Sequence, residues 1–133
     1  MAPRRTAVVG AIAAIALSGA SACGGSSTPN TAPSPSPGGN GPTITITSAG
    51  VSPKVITVPP GAQVVFVNND GKTHWMYSDP HPEHTDCPPI NQVGALNPGQ
   101  QRLTGNLNTV RTCGYHDHED AANKLWQGSI VIQ

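Results

Sequence analysis

Thirteen residues in the middle of the chain, V-I-T-V-P-P-G-A-Q-V-V-F-V from Val55 to Val67, limit what it can fold into more than any other stretch. Two apolar, largely β-branched runs flank Pro59-Pro60-Gly61, and no helix passes through two prolines and a glycine. Each run is of strand length, so the stretch reads as two strands around a turn. The same pattern recurs along the chain. T-I-T-I-T at Thr43 to Thr47 alternates with period two, Asn68-Asn69-Asp70-Gly71 closes the second run, and Leu96-Asn97-Pro98-Gly99 is a further turn. Strands are also expected around His74 to Tyr77, Gln101 to Leu107, Val110 to His116 and Ser129 to Ile132. A helical segment fits only in Glu119 to Leu125. About seven short strands with Gly/Pro turns predict an all-β antiparallel sandwich.

The residues before Thr43 cannot contribute to such a sandwich. M-A-P-R-R followed by an Ala-rich apolar run from Ala7 to Leu17 has the shape of a secretory signal, and the run is too short to span a membrane. L-S-G-A-S-A-C-G-G then resembles a bacterial lipobox, which implies a signal peptide over residues 1–22, lipidation of Cys23 and an extracytoplasmic protein anchored to the cell membrane. The alternative is A-x-A-type cleavage that leaves Cys23 as a free thiol, a liability in an oxidising compartment. Residues 23–42 are almost wholly Gly, Ser, Thr, Pro, Asn and Ala, with no charge and no aromatic ring. Such a segment buries too little apolar surface to offset its ordering entropy and reads as a flexible tether. Residues 43–133 are enough for one small domain.

Composition and cysteine count narrow the chemistry. Net charge is zero, charged residues make up 11%, and there is no basic run, which excludes nucleic acid as a partner. With Cys23 spent on lipid, Cys87 and Cys113 remain as an even pair outside the cytoplasm. All five histidines lie in two segments: His74, His81 and His84 in H-W-M-Y-S-D-P-H-P-E-H, and His116 and His118 in H-D-H. Imidazole nitrogens suit copper and zinc. Asp79, Asp86, Asp117 and Glu119 stand near enough in sequence to orient the rings. No nucleophile–base pair, paired-carboxylate arrangement or phosphate-binding glycine loop can be argued, and a non-enzyme is expected.

V-P-P-G-A-Q-V-V-F-V-N-N-D-G-K-T-H, in which an apolar strand and loop deliver His74, L-N-P-G-Q, and the closing G-S-I-V-I occur in an order that resembles the cupredoxins, the plastocyanin-like blue copper domains. The resemblance covers Thr43 to Gln133. It implies a Greek-key sandwich of seven or eight strands, with copper held at one end by His, Cys, His and often Met. Two registers are open. In one, Cys113 and His116 form the family's C-x-x-H and with His74 make a type 1 electron-transfer site. In the other, the distance to Gly128 places Asp117 in the thiolate position and Trp126 in that of the methionine, with Met76 in the core. Period two then sets Cys113, Tyr115 and Asp117 on one face of their strand, with Cys113 deeper in the sandwich and placed to pair with Cys87. The same architecture would gather the two histidine segments at one end.

These observations lead to a copper-binding module, with zinc as the other candidate metal, that captures or handles the ion through His74, His81, His84, His116 and His118. The alternatives are a type 1 electron carrier with His74, Cys113 and His116 as ligands, and a metal-free extracellular interaction domain. H-x-H with a disulfide on a β-sandwich is also reminiscent of copper-zinc superoxide dismutase, though the other histidines do not match that family. The expected partners are the membrane, through the lipid on Cys23, and a redox or copper-transfer protein, with the chain itself a monomer.

Overall fold

A computed structural model describes residues 41–133; the expected signal peptide, Cys23 and all but the last two residues of the tether lie outside them. The strands are β1 (Thr43–Thr47), β2 (Gly50–Ser52), β3 (Val55–Val58), β4 (Val65–Asn68), β5 (His74–Ser78), β6 (Gly94–Leu96), β7 (Gln101–Leu103), β8 (Arg111–Asp117) and β9 (Gly128–Ile132). They form a four-stranded sheet in the order β2-β1-β4-β7 and a five-stranded sheet in the order β3-β9-β8-β5-β6. The all-β sandwich is as expected, with two refinements. Two of the three three-residue strands, β2 and β6, add to those expected and carry too few residues to show a period, and β1–β4 and β3–β9 pair in parallel, so both sheets are mixed. Parallel partners are distant in sequence, and no turn signal announces them.

The inner faces follow the alternation. In β1, Ile44 and Ile46 are fully buried between half-exposed threonines. Ile130 and Ile132 of β9, Val58 of β3, Phe66 of β4 and Met76 of β5 complete the centre. Phe66 and Tyr115 meet edge to face across the two sheets, ring centroids 5.2 Å apart, an arrangement favoured by the ring quadrupoles. Met76 is completely buried, in the packing role expected of it.

Between β4 and β5, the buried Asn68 holds the turn. Its amide donates to the carbonyls of Lys72 and Leu96, and its Oδ1 accepts from Asp70 N–H, which fixes the approach to His74. Glu119 to Leu125, where a helix could fit, forms only parts of two single 3₁₀ turns, His118–Asp120 and Lys124–Trp126. Asp117 caps the first and Asn123 the second.

Candidate metal centre

The loop that leaves β5 determines where the histidines go. β5 and β8 pair antiparallel, with Tyr77 opposite His116 and Met76 opposite Asp117. Cys113, Tyr115 and Asp117 point into the sandwich, so His116 points to the outer face of the sheet. Asp79 continues the β5–β8 register, its N–H donating to Gly114 O (3.1 Å), and beyond it the chain loops out and returns, Asp86 N–H donating to Asp79 O (2.8 Å). His84, in the left-handed region at φ 53°, is anchored through its carbonyl, which accepts from Ser78 Oγ (3.0 Å) and Asn91 Nδ2 (2.7 Å). His81 and His84 are thereby laid over His116, and His118 follows in the next turn of chain.

Donor atoms of His81, His84 and His116 all lie within 4.8 Å of one another, an arrangement able to hold a metal ion. His118 joins them: its Nδ1 is 2.8 Å from His84 Nε2, and its ring centroid is 4.8 Å from that of His81. His84 and His116 are stacked at 5.1 Å. Tyr77, whose ring lies 4.7 Å from that of His84, walls one side.

The hydrogen bonds leave ligand lone pairs facing inward. His116 Nδ1 donates to Asp79 Oδ1 (2.6 Å), and His84 Nδ1 donates to the Ser78 carbonyl (2.9 Å). In each ring the hydrogen is thus assigned to Nδ1 and the lone pair to Nε2; that of His84 faces His118 Nδ1 and would exchange this contact for a cation, whereas that of His116 is free. His116 Nε2 is buried and has no hydrogen-bond partner. A buried nitrogen left so costs about 1–3 kcal/mol, which a bound cation would offset. Loss of hydration, followed by the nearby His118, His116 and His84, lowers the pKa of His81 and favours its neutral, ligating form. Gly114 makes room for the Asp79 contact, since a Cβ there would overlap the Asp79 carboxylate.

His74 is not brought to this group. Its Nδ1 faces Asp117 Oδ2 (2.7 Å) and its Nε2 faces Asp70 Oδ2 (2.9 Å), with Trp126 packed against the ring at 4.5 Å. Ionised carboxylates only accept hydrogen bonds, so both ring nitrogens are committed and neither is offered to a metal. The His74 bond lowers the pKa of Asp70. Asp117 also accepts from Trp75 N–H and Glu119 N–H.

The type 1 set is corrected by the same geometry. Cys113 is bonded to Cys87, with Cα atoms 5.8 Å apart, so the expected disulfide is present and Cys113 offers no thiolate. Cys113 and His116 lie on opposite faces of β8, and His74 is held by carboxylates. Residues of the type 1 pattern therefore do not fit a copper ion, whereas the imidazole group on the outer face does. The contributions of Ser78 O, Gly114 and Tyr77 were not foreseen, and the only trace of them in sequence is the crowding of Pro, Asp and His in S-D-P-H-P-E-H.

No family model matches the chain, and no curated protein sequence matches it. Solved structures do. A purple cupredoxin from Nitrosopumilus maritimus is 17% identical, with 69% of this chain and 99% of that one covered at a TM-score of 0.52. Amicyanin from Paracoccus versutus is 12% identical, covering 71% and 82% at 0.55. Plastocyanin from Dryopteris crassirhizoma is 15% identical, covering 68% and 99% at 0.52. At these identities the likeness is one of fold.

Proposed function

We propose, from the cupredoxin-like domain that residues 41–133 form, that the protein binds copper through imidazoles alone and serves its capture or handling outside the cytoplasm. The ligands would be His81, His84, His116 and His118. The observation that carries this reading is the buried, unpartnered Nε2 of His116, which faces two other imidazoles and has its Nδ1–H fixed by Asp79. Among divalent ions, an all-nitrogen site favours Cu(II), with zinc next to it in the series. Bound copper would supply a Lewis-acidic centre able to exchange one electron. The chain's own residues orient the rings and hold their protons away from the lone pairs. The disulfide disfavours a type 1 electron carrier, because that chemistry needs a thiolate. We also propose that lipid on Cys23 tethers the domain to the membrane.

Titration of the unreduced protein with Cu(II), followed by visible absorption and electron paramagnetic resonance, tests the site. One equivalent should bind with a pale spectrum. His116→Ala and His84→Ala should lose that equivalent, while His74→Ala should keep it. An intense blue or green charge-transfer band would mean that Cys113 is a ligand and would overturn this reading, as would full binding by His116→Ala. Mass spectrometry of the N-terminal peptide tests the anchor: Cys23 should carry diacylglyceryl, and Cys23→Ala should appear in the medium.

A further inference from the structure

The Cys87–Cys113 bridge lies between the two halves of the histidine group. His84 stands three residues before Cys87 and His116 three residues after Cys113, while the chain between the cysteines has a sequence separation of 26. Through the sulfurs, the two stacked imidazoles are therefore joined by a ring of only a few residues on each arm. Without the bridge, the covalent path between the same two side chains is the long route through β6 and β7, and only the non-covalent β5–β8 ladder holds the two segments side by side. Both sulfurs belong to buried residues, Cys113 at 0% and Cys87 at 5% exposure, and Cys87 lines a surface hollow with Asp86, Pro88, Leu107 and Arg111.

Resting on the reading that this histidine group binds a metal, we propose that Cys87 and Cys113 are positioning residues for it, and that the protein holds its ion tightly only while the bridge is closed. Shortening the connection between two ligands by about two doublings of length corresponds to roughly a tenfold gain in the probability that they meet. The gain is no larger because Ser78 Oγ and Asn91 Nδ2 still hold the His84 carbonyl when the bridge is open. A dithiol reductant reaching Cys87 through the hollow would attack the S–S bond. Two electrons and two protons pass to the protein, two thiols form at Cys87 and Cys113, and the reductant leaves as a disulfide. The site then loosens, and the metal is released where reductant is present.

The test uses the full-length protein and zinc, which avoids copper-driven oxidation of the thiols. Zinc affinity is measured by competition for the oxidised wild type, for Cys87→Ser/Cys113→Ser, and for Cys87→Ala/Cys113→Val, which restores apolar volume without the covalent tie. Ile44→Ala serves as a control that destabilises the core and leaves the bridge intact. We expect about a tenfold loss of affinity in a folded double variant and none in the control. A folded double variant with wild-type affinity overturns the proposal. Should both double variants fail to fold, the wild type decides. By reciprocity of coupling, bound zinc must favour the closed bridge, so in a glutathione redox buffer the equilibrium constant for its reduction should be about tenfold smaller in zinc-loaded than in metal-free protein. Equal equilibrium constants would refute the coupling. If the oxidised wild type binds no metal, the site itself falls and the proposal with it; if it binds and the bridge proves irrelevant, only the coupling falls.

Discussion

At His116, hydrogen bonding separates the donor nitrogen from the one left free for a ligand. Asp79 holds the Nδ1 hydrogen at 2.6 Å, yet its own side chain is half exposed, so it contributes little to the core. Asp79→Asn should therefore weaken copper binding by about 10–100-fold with only a small change in melting temperature. Competition titration and thermal unfolding of the same sample check both halves of the statement. Gly114→Ala should weaken binding in the same direction by displacing the carboxylate. A different carboxylate governs behaviour in acid. The His74 contact holds Asp70 below its ordinary value of 3.8, so this pair adds stability above that value, and the contribution is lost as pH falls through the lowered one. Asp70→Asn should flatten the fall in melting temperature on the acid side below about pH 4. That His116 faces away from Cys113 could be read from the alternation in T-C-G-Y-H-D-H. The fate of His74 could not, because its two partners lie four and 43 residues away along the chain.

Among the elements, the β8–β9 pair shows how glycine placement serves both faces of one sheet. Gly114 on β8 admits Asp79 from outside, and Gly128 on β9 leaves the space into which the Tyr115 hydroxyl extends. That hydroxyl is buried without a partner, and burial pushes its pKa up, so it stays protonated throughout the ordinary range. Tyr115→Phe removes an unsatisfied polar atom and keeps the edge-to-face contact with Phe66. It should be neutral or stabilising, by up to about 1–3 kcal/mol, as measured by denaturant unfolding. A loss of more than about 1 kcal/mol would show that the hydroxyl has a partner in solution. Strands of four residues or more were legible wherever apolar and polar residues alternate, as in β1, or where an apolar run ends in a turn signal, as in β3 and β4. The path of residues 79–87 over the outer face was not, since it depends on backbone bonds to Gly114 and on the bridge to Cys113.

Across the whole chain, all seven acidic residues fall between Asp70 and Asp120, the same stretch that contains the five histidines. Several are engaged locally: Asp70 and Asp117 with His74, Asp79 with His116, and Asp86 with Arg111. The remaining acids lie in the ligand-bearing segments and favour the approach of cations. Because protons compete for the same nitrogens, copper affinity should fall steadily from pH 7.5 to pH 5, through the ordinary imidazole range near about 6.5. Isothermal titration at several pH values would detect this, and constant affinity would count against imidazole ligation.

β8 turns its aromatic, disulfide-bonded side toward the other sheet and its histidine toward solvent-side loops. The core and the proposed metal site are therefore written on alternate letters of the same seven-residue word. His116 could be exchanged while the inward residues keep the scaffold intact, whereas a change at Cys113 would touch the core and the histidine cluster together.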